Sequence, residues 1–247
     1  MWRAWSASQA EPMISITNLS KRYGAVNAVR DVTFGCSPGT ITGFLGANGA
    51  GKSTTLRMLT GLTRPDAGSA TIGGKAFTDL RNPARTVGVM LDTSALHVGR
   101  TGRATLRVAA MMAGVPTSRA DELLEATGLA SAASRRVGTY SLGMRQRLGL
   151  ALALLGSPAV LILDEPANGL DPEGIAWIRG LLREHAARGG TVLLSSHLLA
   201  EVQATADRLV IISAGRIVAQ GTLQQLLGGT GQNLEEMFFA LTSGDPR

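Results

Sequence analysis

The chain is poor in cysteine, in lysine and in long apolar runs. Its one cysteine in 247 residues, Cys36, excludes an internal disulfide and suits a reducing compartment. No segment approaches the roughly 18 consecutive apolar residues that a membrane helix needs. The most apolar stretches, LGLALALLG (148–156) and AVLIL (159–163), are short and are interrupted at Gly156, Ser157 and Pro158. The first twelve residues, MWRAWSASQAEP, hold no apolar core of signal-peptide length. The chain therefore reads as soluble and cytosolic. Its net charge of +6 is spread out, with no basic block longer than Arg135-Arg136. Nucleic-acid faces need clustered charge, so the arginines read as a solvated surface and no nucleic-acid partner is expected. Of 24 basic residues only Lys21, Lys52 and Lys75 are lysines. Internal repeats and low-complexity tracts are absent as well.

What is present fits a folded α/β protein. An apolar fraction of 45% with 17% charged residues is that of a globular chain able to bury a core. Strand patterns run over 13–23 and 28–40 with a turn near Gly24, then over 40–46, 67–74 and 86–91. A helix is predicted over 51–62. Residues 100–157 change character: Ala and Leu recur at helical spacing, with breaks at Gly114-Val115-Pro116, Gly128 and Gly138, so three or four helices are expected. Strands resume at 159–165, 191–197, 208–215 and 216–221, with helices over 173–188 and 198–206 and one short helix in the tail 233–247. Strands alternating with helices predict a mostly parallel sheet, preceded by an N-terminal antiparallel β portion and interrupted by a helical insert.

One of the three lysines stands inside a glycine loop, GANGAGKSTTL (46–56). Gly46, Gly51, Lys52 and Ser53 fit G-x-x-x-x-G-K-[ST] at every fixed position. The glycines let the backbone curl until successive N–H groups face phosphate oxygens. The helix that follows points its positive end at the same anion. Lys52 brings a compact mobile charge for the β- and γ-phosphates, and the Ser53 hydroxyl suits Mg²⁺. Residues Gly46, Ala47, Asn48, Gly49, Ala50, Gly51, Lys52, Ser53 and Thr54 thus form the expected ATP cradle. A second carboxylate site is then needed, and VLILDE (160–165) offers one. Four apolar residues place Asp164 at the C-terminal end of a buried strand, where open α/β sheets bind ligands. Asp164 can hold Mg²⁺ through water, and Glu165 can polarise an attacking water. Without the phosphate loop, an apolar run ending in Asp-Glu would be an ordinary strand end.

With GANGAGKST and LILDEPANGLDP in place, the segments YSLGMRQRLGLALALL (140–155) and SSH (195–197) complete a set in a fixed order. The chain resembles the ATP-binding cassette family, specifically the ATPase subunit of an ABC transporter, over about residues 13–227. It looks most like the ATPases of drug or peptide-antibiotic exporters of the bacitracin- and daunorubicin-resistance type. The resemblance implies a P-loop NTPase core in a single domain over 13–240, with an insert at about 93–157 and a lead-in at 1–12 that is either disordered or an artefact of start-site choice. It implies that Tyr23, in KRYG, stacks on adenine, and that His197 hydrogen-bonds the γ-phosphate and so joins Lys52 and Glu165 among the catalytic groups. Asp92, in VGVMLD, falls where the family usually has a glutamine that touches Mg²⁺ and water. An aspartate can still ligand the metal, but its hydrogen-bond chemistry differs. The signature loop, usually L-S-G-G-Q, is here Tyr140-Ser141-Leu142-Gly143-Met144. Ser141 and Gly143 are kept, and Ser141 also suits a helix N-cap. In the family this loop completes the ATP site of a second subunit, and residues 168–171 (NGLD) link the two sites.

The expected function is ATP hydrolysis with Mg²⁺ in a head-to-tail dimer. A homodimer is favoured, driving a separate membrane permease from the cytoplasmic side of the cell membrane, as a peripheral subunit. Export of a drug or antibiotic-like compound follows from the subgroup resemblance alone. The rival readings are a soluble cassette ATPase acting on DNA or ribosomes, and a nucleotide-binding regulator with little turnover.

Overall fold

The computed structural model describes residues 11–228 and 233–242. The expected lead-in over 1–12 lies outside the described residues up to residue 10, and so does the end of the expected tail segment beyond 242. Two sheets carry the fold. The smaller holds β1 (Ile14–Tyr23), β2 (Val26–Cys36) and β4 (Ala67–Ile72) in the order β2-β1-β4, antiparallel throughout. The larger comprises β3 (Ile41–Leu45), β5 (Val87–Met90), β6 (Val160–Asp164), β7 (Thr191–Ser196), β8 (Arg208–Ser213) and β9 (Arg216–Thr222) in the order β5-β6-β7-β3-β8-β9. Every pairing in it is parallel except β8 with β9.

The inner strands are buried on both faces, which explains their largely apolar sequences, with Thr42, Thr191, Ser195 and Ser196 as buried exceptions. Alternation then sorts their side chains between two cores. Phe44, Val160, Ile162, Leu193, Val210 and Ile212 join the small sheet and α1 (Lys52–Leu59) in one cluster. Leu45, Leu161, Leu163, Val192, Leu194 and Leu209 pack on the opposite side against α6 (Pro172–Ala187). Cys36 lies in the first core, where burial pushes its thiol pKa up to about 12 and leaves it an inert apolar group.

The short α2 (Pro83–Thr86) leads into β5, and the segment between β5 and β6 contains α3 (Gly102–Ala113), α4 (Ser118–Ala126) and α5 (Leu142–Leu154). Gly114 and Gly128 take left-handed φ values of 66° and 70° at the ends of the first two helices, at two of the three expected breaks. These helices build a third core from Leu106, Leu123, Leu124, Val137 and Tyr140. α5 serves two cores at once: Leu148 and Ala151 face the helical cluster, while Leu150 and Ala153 face the large sheet. A helix buried on two sides is apolar nearly all round, which is why LGLALALLG shows no clean stripe. Beyond β7 come α7 (Leu199–Thr205), α8 (Leu223–Leu227) and α9 (Leu234–Thr242).

Tyr140 ties the third core to the start of α5. It is 3% exposed, and its hydroxyl donates to the Ala132 carbonyl at 2.8 Å. Tyr140→Phe keeps the ring and removes that bond, leaving the carbonyl its other donor, the Arg135 N–H at 2.9 Å, so we expect a loss of about 1 kcal/mol in urea denaturation. ATP affinity should be unchanged. An unaltered urea midpoint would mean the hydroxyl contributes nothing to the subdomain.

Candidate active site

Parallel register brings the chemistry to one edge of the sheet. Asp164 pairs with Ser195 across β6 and β7, and Leu45 pairs with Ser196 across β3 and β7. The loop after β3, the acidic end of β6 and the segment after β7 therefore open side by side. Gly46 leaves no room for a side chain, since a Cβ there would lie 2.6 Å from the Ile212 carbonyl oxygen. Gly51 caps α1 with φ 110°, and a Cβ would meet the Ala28 carbonyl oxygen at 2.5 Å. No side chain caps α1, so its first N–H groups point into the loop. Ala47, Asn48, Gly49 and Ser53 are exposed, Thr54 is half-buried, and Ala50 is buried. Lys52 is 6% exposed. Its ammonium donates to the Gly46 carbonyl at 2.6 Å and the Ala47 carbonyl at 3.3 Å.

The acidic pair is held by a serine that sequence reasoning treated only as a lead-in to His197. The Ser195 hydroxyl donates to Asp164 Oδ1. The Glu165 N–H donates to Ser195 Oγ at 3.1 Å and to its carbonyl at 3.2 Å. Glu165 has φ 50°, a left-handed backbone that costs an ordinary residue about 1 kcal/mol or more. That turn aims its carboxylate at Lys52 and His197. Oε1 lies 3.5 Å from Lys52 Nζ, and Oε2 lies 2.8 Å from His197 Nδ1. Lys52, Glu165 and His197, expected to share the chemistry, thus form one chain of contacts.

Asp92 follows β5 and caps a short 3-10 turn, Thr93–Ala95, accepting from the Ser94 N–H at 2.8 Å. Its hydrogen bonds with Ser94 hold the carboxyl below the ordinary carboxylate range. Asp92 lines a cavity of about 260 Å³ with Asp164, Glu165, Asn168, Arg145 and Gln146. It shares a space with both other carboxylates. Arg145 and Gln146 are additions that the sequence reading missed. The available signal was helical spacing: they follow Leu142 by three and four residues, on the face that packs toward β5.

Ser141 is the exposed N-cap of α5 and accepts from the Met144 N–H at 3.2 Å. With Gly143, Gly169 and Asp171 it lines a second cavity of about 480 Å³, and none of residues 46–54 borders it. The signature loop and the NGLD loop are packed together. A Cβ on Gly143 would lie 3.1 Å from the Gly169 carbonyl oxygen, and one on Gly169 would strike Leu142. Ser141 and Gly143 therefore line a cavity that this chain's own phosphate loop does not border, while Leu142 between them also lines the cavity of Asp164 and Glu165. Tyr23, at the end of β1, is half exposed, with the Lys21 ammonium 5.5 Å from its ring centroid.

A phosphate loop before a helix, a carboxylate pair at the end of the next strand but one, and a helical insert define a nucleotide-hydrolysing cassette. The ABC transporter family profile matches residues 29–168. The bacitracin transport ATP-binding protein BcrA of Bacillus licheniformis is 41% identical over 84% of this chain and 69% of its own length. The lantibiotic transport ATP-binding protein SrtF of Streptococcus pyogenes is 38% identical over 92% of this chain and 96% of its own. Among solved structures, an ATP-binding subunit of an ABC transporter superposes with a TM-score of 0.84 at 33% identity, covering 93% of this chain and 99% of that one. A dimeric cassette bound to ADP and Pi superposes with a TM-score of 0.78 at 22% identity, over 85% and 99% of the two chains, and shares the fold. The chain belongs to the ABC transporter ATP-binding family and is an ATPase.

Proposed function

We propose that two copies of this chain sandwich ATP and use its hydrolysis to drive a separate membrane permease that exports a drug or antibiotic-like compound. One observation carries the reading. Lys52, Glu165 and His197 converge beside the phosphate loop, while Ser141 and Gly143 line a different cavity that none of residues 46–54 borders. A site so divided is completed by a second subunit. In this reading residues 13–240 act as one domain, and the insert at about 93–157 carries Ser141 to the partner. Tyr23 stacks on the adenine. The backbone of residues 46–54 and the Lys52 ammonium hold the phosphates. Relatives named for bacitracin transport, lantibiotic transport and daunorubicin resistance support export. The subunit would then lie at the cytoplasmic face of the cell membrane. Among the described residues no helix is long and apolar enough to cross a membrane.

The donor set suits Mg²⁺ held with a nucleotide. Mg²⁺ keeps most of its waters and takes one or two protein ligands in phosphate sites. Ser53 offers an exposed hydroxyl, and Asp164 keeps one oxygen beyond the Ser195 bond. When bound, the ion neutralises charge on the β- and γ-phosphates. Glu165 takes the proton of the attacking water as its oxygen bonds to the γ-phosphorus and the bond to ADP breaks. His197, tied to Glu165, steadies the γ-phosphate side.

The test is hydrolysis measured against protein concentration, then against added membranes carrying the permease. A composite site gives a specific activity that rises as copies meet and rises again with the permease. A specific activity independent of concentration, down to fully monomeric protein, would overturn it.

Asp92 adds a charge beside this centre, and its low pKa keeps it ionised at neutral pH. A carboxylate attracts the metal and repels the γ-phosphate, so the two effects oppose each other. Asp92→Gln should stay within about tenfold of the wild-type rate, roughly 1.4 kcal/mol in barrier. Asp92→Ala should lose more, above all in stimulation by the permease. The measurement is rate against Mg²⁺ concentration. Identical curves for all three proteins would remove Asp92 from the site.

A further inference from the structure

We infer that Gln146 is a positioning residue for hydrolysis: from α5, its carboxamide orders water in the cavity against Glu165. The inference rests on the ATPase reading of that cavity.

Gln146 is 7% exposed, yet it lines the cavity that holds Asp92, Asp164 and Glu165. Its Oε1 is buried and has no hydrogen-bond partner. A buried acceptor left unpaired is costly, so native proteins pair nearly all of them with protein or water. The neighbouring Arg145 repeats the pattern, with a buried Nε lacking a partner on the same wall. Two residues that each carry an unmet polar atom, one an acceptor and one a donor, thus line a space of about 260 Å³. That is room for several waters, and a buried water needs two to four polar partners, which these groups and the carboxylates provide.

Position fixes the direction. Gly149 lies three residues on from Gln146, on the same side of α5. A Cβ on Gly149 would approach Thr93 Cγ2 to 2.7 Å and Met90 Sδ to 3.1 Å. The face of α5 that carries Gln146 is therefore pressed onto the end of β5 and the turn after Asp92. The last side-chain torsion of glutamine is broad and roughly two-fold, so a half-turn presents either oxygen or nitrogen to the cavity. With the oxygen inward, Gln146 accepts one hydrogen of a water whose other hydrogen faces Glu165. Gln146 takes no proton; it sets the orientation in which Glu165 does. A structural glutamine in a helix core would instead have both amide ends paired within the protein.

Gln146→Leu keeps the bulk and removes the carboxamide. Its melting temperature should be unchanged or raised, because an unmet acceptor leaves the core. ATP affinity by calorimetry should hold at the wild-type value. The turnover number should fall about tenfold, the scale of one hydrogen bond lost from the transition state, with KM little changed. A high-resolution crystal structure of the wild-type protein should place an ordered water within hydrogen-bond distance of the Gln146 carboxamide, inside the cavity. The Gln146→Leu crystal should lack that water. A melting temperature lowered by many degrees would make Gln146 a structural brace and overturn the inference. Full turnover in Gln146→Leu, or a dry carboxamide in the wild-type crystal, would overturn it too. Failure of the underlying ATPase reading looks different: wild-type protein itself would not turn over, whatever the crystal showed at Gln146.

Discussion

Lys52→Ala loses ATP affinity and hydrolysis together. The Lys52 ammonium is nearly sealed from solvent and is held by the Gly46 and Ala47 carbonyls, with Glu165 Oε1 at 3.5 Å. Those partners keep the charge inside its own loop. A triphosphate in the loop offers the ammonium stronger, charged acceptors, and charge-assisted hydrogen bonds contribute about 1.5–3 kcal/mol each. Alanine removes them all, so affinity should fall by at least about tenfold, with hydrolysis falling further because the ammonium also stabilises the charge that develops on the leaving oxygen between the β- and γ-phosphates. The fold should survive, since residue 52 is the first of α1 and alanine is a good helix former. Calorimetric titration with ATP and a steady-state ATPase assay check both halves. Unchanged affinity and turnover would remove the phosphate cradle from this loop.

The contrast between Lys52 and Gln146 explains what a sequence can disclose. The phosphate loop is legible because its chemistry is local: adjacent residues supply the curl, the charge and the helix end. The apolar runs within β3, β6 and β7 are legible for a similar reason, since strands covered on both faces are largely apolar. Ser195 and Gln146 gain their meaning from packing. Ser195 matters because parallel register sets it beside Asp164, and Gln146 because α5 lies on β5. Helical spacing from Leu142 can bring Gln146 to notice but does not say what it packs against, and Ser195 has no sequence signal of its own. The left-handed backbone of Glu165 was also hidden, because glutamate carries no turn signal and the conformation is held by two bonds to Ser195. Boundaries slipped where capping intervened. The helix expected over 51–62 ends at Leu59, where the Thr60 hydroxyl turns back to the Leu56 carbonyl and Gly61 goes left-handed.

Glu165→Gln should bind ATP at least as well as the wild type and hydrolyse it some 10²- to 10⁴-fold more slowly, the range for losing a general base. The amide keeps the length and shape of the carboxylate, and glutamine bears φ 50° no worse than glutamate does. Its backbone bonds to Ser195 are untouched. What changes is charge. In the wild type, Glu165 stands within 3.5 Å of Lys52, where the γ-phosphate must also sit. Two anions sharing one ammonium repel each other, and the amide relieves that repulsion. Binding should therefore tighten as chemistry stops. If ATP closes two copies around Ser141 of each partner, a variant that binds without hydrolysing accumulates in the closed state. Gel filtration with ATP and Mg²⁺ should then show a dimer, and chelating the metal should return the monomer. The same variant in ADP should run as a monomer, since in the proposed sandwich the γ-phosphate is what the partner's copy of Ser141 would reach. A variant that stays strictly monomeric with ATP and turns over at the wild-type rate would remove both the base and the sandwich.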